Sequence, residues 1–166
     1  ETDTTIFSTA SPSVRITPSS ATRKYRHTVL RAAVNDGDTA TVSVKVRESV
    51  VGDGTDYSGN RPRLMVRANW SMGITADAML DTATSLSEGD FETLTGTTAA
   101  VTSDGILEFY VDCDGVAGWI NIDDVTPPTA RDTTGLLYGI DGDVLALGNN
   151  SAGGGGNIFI PRTIVR

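Results

Sequence analysis

The residues with the clearest chemical potential in this 166-residue chain are acidic. Asp112, Asp114, Asp123 and Asp124 lie close together in sequence, with Asp141 and Asp143 further on. Two separated carboxylates can hydrolyse a glycosidic bond, and several loop oxygens together can hold calcium. The run Asp112-Cys113-Asp114-Gly115 lacks the glycine and closing glutamate spacing of an EF-hand. A structural Ca2+ is therefore weighed against the plainer reading of aspartates that favour turns. His27 is the only histidine and Cys113 the only cysteine, which supports neither a zinc site nor a Ser-His-Asp triad, nor an internal disulfide. Three aromatic residues, Trp119, Tyr110 and Tyr57, could stack on a ligand. Arg61, Arg63 and Arg67 project from one strand as a solvated face, or as one that docks on an acidic partner. No catalytic constellation emerges, and the chain is read as non-enzymatic.

The elements that position these residues are strands. Thr occurs 23 times and Gly 18 times, against two Lys, a composition suited to strands and turns rather than helices. In 41–47 every second residue is Val; in 63–70 Leu64, Val66, Ala68 and Trp70 share one face. Thr22 to Val34 reads as one long strand, or two joined by a bend. Ala76 to Leu86 reads as a loop or a single helical turn. Turn chemistry stands at 35–38, 52–54 and 58–60. Asp114-Gly115 between apolar runs predicts a two-residue hairpin. In that register Phe109 faces Ile120 and Leu107 faces Ile122 on the core side, while Tyr110 faces Trp119 and Glu108 faces Asn121.

Together these signals give an all-β antiparallel sandwich with a Gly-rich C-terminal extension. The expected boundaries are an N-terminal arm over 1–9, the sandwich over 10–127, and the extension over 128–166, after the Pro127-Pro128 break. The extension holds the glycine run 153–156 and an apolar last segment whose Ile158, Phe159, Ile160 and Ile164 call for a partner. Residues 1–70 carry ten basic and seven acidic side chains, and residues 71–166 carry three and fourteen, an asymmetry that suits subunit contacts. With a net charge of -8 the chain is not expected to bind nucleic acid. No apolar run approaches the roughly 20 residues that would insert in a membrane. The chain opens on Glu1 rather than Met, as a processed chain or a piece of a longer one does.

The order of Phe91-Glu-Thr-Leu-Thr-Gly96, Gly105-Ile-Leu-Glu-Phe-Tyr-Val111 and Trp119-Ile-Asn-Ile-Asp-Asp-Val125 resembles the C-terminal half of jelly-roll carbohydrate-binding modules of the galactose-binding-like type. The same pattern occurs in modules of phage virion and fibre proteins. The resemblance implies a jelly-roll, a calcium ion near Asp123 or Asp124, and a glycan held by aromatics such as Trp119, Tyr110 and Tyr57. The function expected first is a structural or attachment module of a virion or other extracellular assembly, homo-oligomeric or joined to other subunits. A carbohydrate-binding module is the second expectation.

Overall fold

The computed structural model describes residues 1–9, 12–68, 73–74, 77–84 and 89–128, together with two short strand pieces further on. The strands are β1 (Thr2–Asp3), β2 (Ser13–Ile16), β3 (Ser20–Val34), β4 (Thr41–Glu48), β5 (Arg63–Ala68), β6 (Ala78–Thr82), β7 (Glu92–Thr97), β8 (Gly105–Gly115), β9 (Ile120–Thr126), β10 (Leu137–Tyr138) and β11 (Val144–Leu145). They form two antiparallel sheets, in the orders β1-β2-β9-β4-β7 and β11-β10-β3-β8-β5-β6. From β2 to β9 the chain passes back and forth between the sheets except at β5 and β6, which pair as neighbours in the six-stranded sheet, an arrangement compatible with a jelly-roll. The residues Ile158, Phe159, Ile160 and Ile164, Trp70, and most of the extension lie outside the described residues.

The period-two pattern sets which faces meet. Val42, Val44 and Val46 of β4 are buried, as are Leu64 and Val66 of β5, and both groups belong to one core cluster. Strand β3 runs unbroken, with register shifts between Ser20 and Tyr25 and between Thr28 and Leu30. The shift lets both Val29 and Leu30 be buried while Arg31 returns to the outer face.

Two expectations are corrected. The segment 78–82 is a strand, not a loop or a helical turn: it pairs along the edge of the six-stranded sheet with β5. Its Ala78 and Leu80 pack on the core while Met79 points to solvent. The Asp114-Gly115 hairpin does not form either. β8 pairs with β3 and β5, whereas β9 pairs with β2 and β4 in the other sheet. Leu107, Phe109, Ile120 and Ile122 are all buried, as expected, but the two pairs come from opposing sheets. The chain crosses over between Gly115 and Trp119. Gly118 there has φ +70°, and a Cβ on it would lie 2.6 Å from Tyr57 Cα. That crossing is tied down by Ser58, bridged to Ala117, and by Ser49, which exchanges hydrogen bonds with Trp119. Two strands with one strongly apolar face each bury more by facing each other than by lying side by side.

At the end of β4 Glu48 turns inward, and Arg61 Nη1 donates to its Oε2 at 2.9 Å. Burial pushes this carboxyl up to about 6 against the pull of Arg61. The folded protein therefore holds a proton there that the unfolded chain, at 4.5, releases. Its contribution to stability is fully present below pH 4.5 and is lost as pH rises through 6. Glu48→Gln should remove this part of the slope: melting temperatures between pH 4.5 and 7 should fall less in the variant than in the parent.

Candidate functional site: an arginine-ribbed sheet face

The outer face of the six-stranded sheet is organised in rows across β3, β8 and β5. Register places Arg26, Asp112 and Arg63 in one row, Thr28, Tyr110 and Met65 in the next, and Arg31, Glu108 and Arg67 in the third. Neighbouring strands lie about 4.8 Å apart, and successive rows on one face about 6.8 Å apart. Two rows thus set a carboxylate between two guanidinium groups, with Tyr110 between the rows. Arg63 Nε donates to the fully buried Asp112 at 2.7 Å. Arg26 lies over the Tyr110 ring, 4.9 Å from its centroid, and donates to Asp77 at 3.0 Å. The Tyr110 hydroxyl donates to the same carboxylate at 2.6 Å. Asp77 sits in the left-handed region at φ 55°, so the backbone itself is bent to bring this carboxylate over the sheet. Burial, reinforced by the bond to Asp77, pushes the Tyr110 phenol upward.

The third row differs from the first. Glu108 accepts from Thr28 at 2.7 Å and from Arg67 at 2.8 Å, and Arg31 Nη2 stands 3.3 Å away. Burial works to raise the Glu108 carboxyl, but these partners hold it below the ordinary glutamate range, so it stays charged at neutral pH. In the first row Asp77 and Asp112 balance Arg26 and Arg63. In the third, one carboxylate faces two arginines, and one positive charge is left over. The arginine side chains are 56% and 46% exposed while Glu108 lies beneath them. A groove of about 400 Å³ opens there, lined by Arg31, Arg67, Ala68, Ile106 and Glu108. Ile106 is 40% exposed at its end. Each guanidinium has N–H donors beyond those used on Glu108, so the groove can receive an oxyanion.

The residues singled out from sequence are dispersed. Tyr110 lies within this face but is only 1% exposed and presents no open ring. Trp119 directly precedes β9 of the opposite sheet, and the Arg15 guanidinium lies 4.4 Å from its ring centroid. The expected Tyr110–Trp119 pair therefore does not form. Tyr57 is half-buried and ties residues 49–62 to the crossing, its hydroxyl donating to the carbonyls of Asn60 and Asp114. Arg61 pairs with Glu48 away from the rows, while Arg63 and Arg67 lie in them.

Asp123 and Asp124 bind the N-terminal arm. Asp123 accepts the backbone N–H of Ser8 at 2.6 Å, and Asp124 accepts Thr9 and the Lys45 ammonium, the latter at 2.8 Å. The Lys45 contact, joined by Thr9, holds the Asp124 carboxyl at about 2. A cation seated on this carboxylate and a backbone N–H seated on its neighbour do not fit a calcium ligand set, which needs free oxygens. Among the described residues no three His, Cys, Asp or Glu side chains come close enough to hold a metal ion. Cys113 is buried, and that burial pushes its thiol up to about 12, far from a nucleophile's range.

Reading the sequence alone missed Arg31, Glu108, Arg26 and Asp77. The signal was present in the alternation of β3 and β8, but the assumed hairpin set Glu108 opposite Asn121 rather than between arginines. No protein-family model matches this chain, and no curated protein matches it.

Proposed function

We propose that this chain is a non-enzymatic structural or attachment module, a self-associating subunit of an extracellular assembly of the virion decoration or fibre kind. The observation that carries this reading is the arginine-ribbed face: an outer sheet surface with surplus charge, a groove, and exposed Ile106 and Met79 beside it. Exposed apolar side chains set among ordered arginines are what a surface covered by a partner offers. Of the aromatics that a sugar would stack on, Tyr110 is buried, Tyr57 is half-buried with its hydroxyl tied to the crossing, and Arg15 covers one face of Trp119. A protein partner therefore accounts for this surface better than a glycan. The two-sheet antiparallel sandwich, compatible with a jelly-roll, suits the same role, since it presents broad rigid faces.

Light scattering of the full chain beside a chain ending at residue 133 tests the reading. The full chain should exceed 17.4 kDa, and removal of 134–166 should lower the number of copies bound. A full chain that stays at 17.4 kDa at every concentration would overturn it.

A further inference from the structure

Resting on that reading, the geometry points to where two copies meet: the outer face of the six-stranded sheet is a two-fold interface centred on Ile106. In it Arg31 and Arg67 of each copy face Asp36 and Asp104 of the other.

Ile106 has opposite charge on its two sides along the strands. Toward one end, two residues along β8, is the Arg31–Glu108–Arg67 row with its surplus positive charge. Toward the other, two residues back, is Asp104, whose Oδ1 accepts the backbone N–H of Asp36 at 2.9 Å. Both aspartates are exposed, and they form an acidic tip where β3 and β8 end. Glu108 lies two residues along β8 from Ile106 and Asp104 directly precedes the strand, so the basic row and the acidic tip stand on opposite sides of Ile106.

A two-fold rotation about an axis through Ile106 exchanges the two ends. It therefore lays the basic row of one copy on the acidic tip of the other, twice, as an isologous contact demands. Ile106 then meets its own mate. Ala33, opposite Ile106 in the β3 register, is small and leaves room for this close approach. The second copy is favoured over an unrelated acidic partner because the chain carries both halves of the match on one face. In a molecule of net charge -8, pairing this uncompensated positive row also lowers the repulsion that otherwise keeps copies apart.

Charge reversal in the full chain tests this. Arg31→Glu/Arg67→Glu makes both ends of the face acidic, and Asp36→Arg/Asp104→Arg makes both ends basic. Each variant alone should dissociate at least about tenfold more readily than the parent. An equimolar mixture should associate again, because the two altered faces complement each other. Circular dichroism checks that each is folded. Should the first variant fail to fold, Ile106→Asp replaces it, since a carboxylate on the axis meets its own copy and should dissociate the dimer. Variants that keep the parent's mass, or folded variants whose mixture stays monomeric, would overturn the interface. If the parent associates while the variants do so equally, the interface fails and the assembly reading stands. A monomeric parent overturns both.

Discussion

Asp3→Ala is expected to lower stability by about 3–5 kcal/mol, because it breaks a buried ion pair and leaves its partners unmatched. Asp3 is 3% exposed and accepts hydrogen bonds from Arg15 at 2.6 and 3.0 Å, from Asn121 at 3.0 Å, and from Thr5. These bonds overcome the opposing effect of burial and hold its carboxyl well below the ordinary aspartate range. Through them the arm segment β1 is bound to β2 and to the centre of the five-stranded sheet. The loss corresponds to a melting temperature lower by on the order of 10 °C. Asp3→Asn keeps the shape and part of the hydrogen bonding, so its loss should be smaller. Because the folded carboxyl is depressed, its contribution is fully present above the unfolded value of 3.8 and is lost as pH falls below it. Asp3→Ala should therefore flatten the acid limb of a plot of melting temperature against pH. Arg15, released from Asp3, should also shift the emission of Trp119, on which it lies.

Phe109→Ala should cost a similar amount, about 3–5 kcal/mol, through the cavity it leaves between the sheets. Phe109 is fully buried on the inner face of β8, within the cluster that includes Val44, Leu94, Ile120 and Ile122. Those residues all come from the opposite sheet, so the void opens at the contact between the two layers and neighbours on one strand cannot close it. Urea denaturation would show the loss as a lower midpoint with little change in slope. A loss below 1 kcal/mol would contradict the stacked arrangement of β8 and β9.

The same residue marks how far the sequence could be read. Alternation identified Phe109, Leu107, Ile120 and Ile122 as core positions, and all are buried. Periodicity reports which side of a strand is apolar but not which strand lies beside it. Asp114-Gly115 is a turn signal by local propensity, yet residues 116–119 are long enough to cross the sandwich, and opposing apolar faces made that crossing favourable. The error propagated to the site. A β8–β9 hairpin sets Glu108 against Asn121, whereas the two arginines on either side of it each lie at least 41 residues from Glu108 in sequence. Asp123 and Asp124 were legible as paired acids but not as the anchor of the arm, since Ser8 and Thr9 reach them from the far end of the chain. The strand β6 was hidden for a local reason, because an edge strand buries only part of one face and shows little alternation.

The claim on which this account rests is that the ribbed face is covered by a second copy through paired charges. The light-scattering mass of the full chain at low and at high salt tests it most directly, because screening at about 1 M shortens the reach of such contacts to roughly 3 Å. The account predicts at least two copies at low salt and a fall toward 17.4 kDa as salt rises. A mass of 17.4 kDa at low salt across all concentrations would contradict it.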